Sequence, residues 1–127
     1  MPKAATAGSA GFDLTAVRRR WNRELELWEY GTGLAVEIPA GYVGLLFPRS
    51  SVYRTGAILS NGVGVIDSDY RGEIGAKFYT LKYLEKYEIG DRICQLVIVP
   101  IPGVEWIESE ELTATERGAG GYGSTGS

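Results

Sequence analysis

A chain of 127 residues, 44% of them hydrophobic in type, is long enough for one core and too short for two. Its formal charge of -3 argues against a surface that coats nucleic acid, and the absence of histidine excludes Ser-His and Cys-His nucleophiles and every His-ligated metal site. With one cysteine no intrachain disulfide can form; a general base near neutral pH must be Asp, Glu, Lys or Tyr, and any metal must be held by oxygen, which favours Mg2+ or a similar hard cation.

Met1–Ala10 is small and polar, with no apolar signal segment. The longest apolar runs, about seven residues, fall far short of the roughly 20 that cross a bilayer, so a soluble, reducing, cytoplasmic setting is expected. Ala10-Gly-Phe-Asp13-Leu sets a lone carboxylate among apolar residues, where it needs a donor or a cation. Arg18–Gly33 reads as a charged hairpin carrying Trp21 and Trp28, and within it Leu25 and Leu27 alternate with Glu24, Glu26 and Glu29 as in a half-buried strand. Leu34, Val36 and Ile38 repeat that pattern until Pro39 and Gly41 break it. Tyr42–Phe47 is a strand, followed by a helical turn over Ser51–Gly56 with Ser50 or Ser51 as N-cap and Gly56 ending it.

Asn61–Glu73 then looks like a hairpin with Asp67 and Asp69 flanking Ser68 at its tip, Asp69 capping the turn. Glu73–Tyr79 and Ile93–Val99 complete the strands. In the second of these Ile93, Val97 and Val99 share one face while Cys94, Leu96 and Ile98 share the other, so burial on both faces is expected, with Cys94 an inert thiol. Many short strands at close spacing predict an all-β sandwich or barrel. From Arg117 onward the glycines preclude a core of the segment's own, and it is either disordered or ordered on something else.

Five segments carry chemistry. The tail Arg117-Gly-Ala-Gly-Gly-Tyr-Gly-Ser-Thr-Gly126 lets backbone N–H groups and the Ser124 and Thr125 hydroxyls approach an anion, with a guanidinium from Arg117 and a stacking ring from Tyr122, although it lacks the Lys of a P-loop. Pro48-Arg49-Ser50-Ser51 at a helix start is either an anion site or an ordinary capped turn. Asp67, just after Val65 and Ile66, is either a shielded general base or a turn-shaping residue. Gln95 breaks an apolar strand and must find partners, whether a water, a phosphate oxygen or backbone. Asp13 is the fifth.

In order and wording these segments resemble the motifs of the trimeric deoxyuridine triphosphatase family: Ala10–Leu14, Pro48–Ser51, Gly64–Glu73, Gly90–Leu96 and Arg117–Gly126, spanning essentially the whole chain. The resemblance implies a distorted jelly-roll barrel over 1–116, a glycine-rich arm over 117–127, and a homotrimer with sites at subunit interfaces. It implies hydrolysis of dUTP to dUMP and diphosphate with Asp67 activating water. Asn61 and the backbone near Val65, Ile66 and Gly75 would read uracil, and Tyr70 would lie beneath the deoxyribose. Arg49, Ser50, Ser51 and Gln95 would hold the phosphates. Tyr122 and Gly123 would close over uracil while Arg117, Ser124 and Thr125 grip the β- and γ-phosphates. Mg2+ would sit on the phosphates and water, with Asp13 behind the water. No nucleic-acid or membrane partner is expected. The N-terminal strand usual in that family is expected to be missing, Tyr122 stands where Phe is usual, and the Arg18–Gly33 hairpin is longer than in compact members. Two other readings compete: a dCTP deaminase of the same fold, for which Lys77 stands near the place of the catalytic Glu, and a dUTP-gated regulatory binding protein.

Overall fold

The computed structural model describes residues 1–81, 86–123 and 126. Their strands, in chain order, are β1 (Lys3–Ala4), β2 (Phe12–Thr15), β3 (Arg18–Asn22), β4 (Leu27–Gly31), β5 (Tyr42–Pro48), β6 (Ala57–Leu59), β7 (Gly64–Ile66), β8 (Gly75–Thr80) and β9 (Arg92–Pro100), with a 3-10 turn at Ser50–Arg54. One antiparallel sheet runs β1-β2-β9-β5-β7 and the other β3-β4-β8-β6, so the expected all-β jelly-roll class is the one observed.

Alternation along the strands turns one face of each sheet inward, where Phe78, Leu14 and Cys94 are fully buried, and Ile93, next to Cys94 on the opposite face of β9, is fully buried as well. Tyr30 meets Phe78 edge-on at 5.8 Å and Tyr87 at 6.3 Å, and its hydroxyl donates to the Tyr87 carbonyl at 2.8 Å. On β5, Gly44 leaves room for this core: a Cβ there would stand 2.8 Å from Ile38 Cδ1 and 3.2 Å from Leu96 Cδ1.

The Arg18–Gly33 hairpin forms as β3 and β4, paired Trp21 to Trp28, but Leu25 lies in its exposed turn and not in a strand. Asn22 explains this by accepting from the Leu25 N–H at 2.9 Å, which closes the turn there. Leu34, Val36 and Ile38 do point inward more than their neighbours, yet residues 32–39 form no strand: the pairing here is confined to Thr32 and Leu34 against Ile74. β9 is buried on both faces only through Leu96; Ile98 is 38% exposed, because β2 covers β9 no further than Leu96.

Arg49, extended and without a side-chain cap bond, is the N-cap of the 3-10 turn, which puts Ser50 and Ser51 inside it. The expected serine cap is therefore corrected; the turn starts directly off the end of β5. Gly56, at φ +63°, ends it as expected. The segment Asn61–Glu73 is not a hairpin. β7 pairs with β5 in one sheet and β8 with β4 and β6 in the other, so the chain turns a corner between sheets, something a period of two along the chain does not reveal. A two-residue strand, β1, pairs with β2 where no N-terminal strand was expected.

Candidate active site

Strand register gathers the first group of residues. β9 lies between β2 and β5, so Asp13, Gln95 and Phe47 form one row across three strands, and Arg49 follows β5 two residues later. Gln95 Nε2 donates to the Pro48 carbonyl at 3.1 Å, which is the backbone partner an amide in an apolar strand requires. Arg49 Nε donates to Asp13 Oδ1 at 3.2 Å and its NH1 to Ser51 Oγ at 3.3 Å. Arg92, which the sequence did not single out, donates to Asp13 Oδ2 at 3.2 Å. The signal for it was Asp13 itself, a carboxylate in need of donors, with Arg92 beside its strand. Gly11 keeps the row tight, since a Cβ there would meet the Gln95 side chain. The result is one partly buried guanidinium, Arg49, and one exposed guanidinium, Arg92, around one carboxylate, with Ser50 and Ser51 following in the chain, a surface suited to phosphate oxygens.

A second group forms at the corner. Asn61 lies beside Gly64, Val65 points outward and Ile66 is buried, so only the backbone of Ile66 can face a ligand. Asp67 leaves β7 and accepts the Tyr70 N–H on its carbonyl at 3.1 Å. That backbone bond closes the turn, and Asp69 shows no capping bond among the described residues, contrary to expectation. The Tyr70 hydroxyl donates to the Glu73 carbonyl at 2.9 Å, and a Cβ at Gly72 would collide with its ring. Gly75 opens β8 opposite Gly31. Asp67 is exposed, so the shielding expected from Val65 and Ile66 is not supplied by this chain alone.

The two groups do not meet. Gly44 of β5 opposes Ile66, which sets Asp67 one step beyond toward the start of β5, while Arg49 lies past its far end. At about 3.3 Å per residue the groups are roughly 20 Å apart along the strand. The tail does not bridge them: residues 103–119 are exposed throughout, Tyr122 is fully exposed, and Arg117 Nε donates to Gly120 O of its own turn at 2.8 Å. Ser124 and Thr125 lie outside the described residues.

No cluster of three potential metal-ligating side chains occurs among the described residues, and both Asp13 oxygens accept from guanidinia. That donor set does not fit a metal caged by protein. It does fit Mg2+ carried on phosphate oxygens and water, with Asp13 reached through water. Among the described residues no helix is long and apolar enough to cross a membrane.

Comparison with known proteins bears on the family and the fold. The family model described as dUTPase matches residues 1–126. A deoxyuridine 5'-triphosphate nucleotidohydrolase of Nautilia profundicola is 45% identical over 130 residues, covering 99% of this chain and 90% of the relative. The dUTPase of Staphylococcus bacteriophage 80alpha, solved with dUPNHPP, superposes with a TM-score of 0.78 at 30% identity, covering 100% of this chain and 92% of that one. A mutant dUTPase from phage phi11 of S. aureus, whose structure is reported to reveal the coordination of a structural Mg(II) ion, superposes with a TM-score of 0.70 at 27% identity, covering 87% of this chain and 90% of that one. A match that runs from residue 1 to 126, on this two-sheet fold, leads to one conclusion: the chain belongs to the dUTPase family.

Proposed function

We propose that the chain hydrolyses dUTP to dUMP and diphosphate, which keeps uracil out of DNA and supplies dUMP for thymidylate synthesis. The observation that carries this reading is Asp67: in a chain matched by the dUTPase model over residues 1–126, it stands exposed at the corner between sheets, its carboxylate engaged by no donor among the described residues. It is available to a water, whereas each Asp13 oxygen already accepts from an arginine.

In this mechanism Asp67 takes a proton from a water whose oxygen attacks the α-phosphorus. The bond from that phosphorus to the bridging oxygen breaks on the opposite side, diphosphate leaves, and Asp67 returns the proton to solvent. Asn61 and the backbone of Val65, Ile66 and Gly75 read the uracil edge, and the Tyr70 ring lies under the deoxyribose and leaves no room for a 2'-hydroxyl. Arg49, Ser50, Ser51 and Gln95 hold the phosphate chain, and Tyr122, Gly123, Arg117, Ser124 and Thr125 close the site from the arm. Mg2+ arriving on the nucleotide would be reached by Asp13 through water and would supply charge neutralisation. The protein's share is alignment and fixed positive charge.

Distance supports an assembly of more than one copy. With Asp67 and Arg49 roughly 20 Å apart on one chain, a nucleotide that needs both takes them from two copies. A homotrimer meets this need, with residues 1–116 as the core and 117–127 as an arm that reaches a neighbour's site. Val104, Trp106, Ile107 and Leu112, exposed on the stretch leading to the arm, are in keeping with burial against another copy. The compartment proposed is the cytoplasm.

The test is release of diphosphate from dUTP, dCTP, dTTP and UTP in parallel, with and without Mg2+. Release from dUTP alone, strengthened by Mg2+, supports the reading. Ammonia from dCTP, or no dUTP preference, overturns it.

A further inference from the structure

Glu73 closes the corner that holds Asp67 and Tyr70, and it does so with both its side chain and its backbone. Its Oε1 accepts the Gly33 N–H at 2.6 Å and its Oε2 accepts from Arg18 of β3. Its own carbonyl accepts the Tyr70 hydroxyl at 2.9 Å. The residues on either side are tied down as well: Ile74 N donates to Leu34 O at 2.8 Å, and Thr32 Oγ1, buried, donates to Ile74 O at 2.6 Å. Arg18 can cross to Glu73 only because Gly31, its partner in the ladder, lacks a side chain; a Cβ there would stand 2.7 Å from the Arg18 guanidinium and 2.9 Å from Glu73 Oε1. The long hairpin, to which the sequence assigned no role, thus reaches the loop that carries Tyr70.

We infer that Glu73 is a positioning residue for Tyr70: its carboxylate, held by the Gly33 N–H and Arg18, fixes the carbonyl that receives the Tyr70 hydroxyl and thereby sets the floor beneath the sugar. The inference rests on the reading of Tyr70 given under Proposed function. The two anchors are unequal. Gly33 offers a charge-assisted backbone bond in a turn held at φ +70°, whereas Arg18 is 61% exposed and its ion pair is screened by water. Losing Arg18 therefore matters less than losing the carboxylate. Gln at position 73 keeps an acceptor for Gly33.

The experiment compares kcat/KM for dUTP and UTP in the full chain and in its Glu73→Ala, Glu73→Gln, Arg18→Ala and Tyr70→Phe variants. Glu73→Ala should lower the dUTP/UTP ratio about tenfold, mostly through KM, as expected for a small misplacement of a positioning group. Glu73→Gln should restore most of it, and Arg18→Ala should fall between them. In the Tyr70→Phe background Glu73→Ala should change the ratio no further, because the hydroxyl it acts through is gone. A ratio unchanged while kcat falls for both nucleotides would mean a merely structural role and overturn the inference. Should Glu73→Ala fold poorly, the Glu73→Gln and Arg18→Ala comparison decides alone. Separately, protein labelled at tyrosine Cζ should show the Tyr70 NMR signal shifted in Glu73→Ala and unmoved in Arg23→Ala; an unmoved signal in both overturns the inference. Because that signal does not depend on turnover, it tests the tether even if dUTP proves not to be the substrate, an outcome that would sink the function reading instead.

Discussion

Asp13 and Asp67 look alike in the sequence, each a lone carboxylate next to apolar residues, and the fold gives them opposite surroundings. Asp13 is wedged between Arg49 and Arg92 at 3.2 Å from each, whereas Asp67 stands in the open with no donor among the described residues. A carboxylate flanked by guanidinia is not placed to meet the attacking water, whereas an unencumbered one is open to it. Asp67→Asn should therefore reduce turnover by at least about a hundredfold, the lower range for losing a general base, while binding of a non-hydrolysable dUTP analogue stays within a few-fold. Turnover near that of the unaltered chain would remove Asp67 from its role. Cys94 poses the reverse case, a reactive group made inert. Burial pushes its thiol up to about 12 from 9.0. Below pH 9 folded and unfolded chains both keep the proton; above it the unfolded chain loses the proton first, so stability should be flat through neutrality and fall as pH climbs from about 9 towards 12. A thiol reagent at pH 8 should accordingly label the chain only after denaturant is added, and rapid labelling of native protein would contradict this burial. Residue identity alone revealed that Asp13 and Gln95 needed partners, but which partners they found depended on a three-strand register invisible along the chain.

At the level of elements, what the sequence conveyed was where strands begin and end, and what it concealed was which strands are neighbours. β5, β8 and β9 lie within two residues of their expected bounds because Gly, Pro and Asp interrupt the apolar alternation there. The corner at Asn61–Glu73 was misread as a hairpin because alternation marks a face and not a partner. Leu25 was misread because a side-chain bond from Asn22 overrode the local pattern. Gly44 shows how closely elements are fitted: its missing side chain is what lets Ile38, Ile66 and Leu96 converge on β5. Gly44→Val should cost about 1–3 kcal/mol by overpacking, read as a lower midpoint in urea unfolding. An unchanged midpoint would mean that this contact has slack. The arm behaves in the opposite way. Removing residues 117–127 should leave the unfolding midpoint within error, since nothing described in that segment joins the core, yet lower kcat/KM severely; a truncated chain with full activity would refute the arm's role.

For the whole molecule, what matters is that one copy keeps the two groups of proposed site residues apart. β5 acts as a spacer, with the proposed base near its start and the residues proposed to hold phosphate past its end. No rotamer change spans roughly 20 Å, so either the nucleotide uses one group only or a second copy contributes the other. Mixing two inactive variants separates these possibilities. Asp67→Asn lacks the base but keeps Arg49; Arg49→Ala lacks the phosphate grip but keeps Asp67. Each alone should be nearly inactive. If a site takes Asp67 from one copy and Arg49 from another, random reassembly of equal amounts restores about a quarter of the sites, because each of two positions is correctly filled half the time. If a site takes both from the same copy, every site in the mixture stays defective and activity remains at the level of the separate variants. Mass measurement of the mixture, with the two variants distinguished by a tag, verifies that mixed trimers of about three chains have formed. Mixed trimers without regained activity would therefore refute the shared site itself, and a mass near one chain would refute the assembly on which it depends.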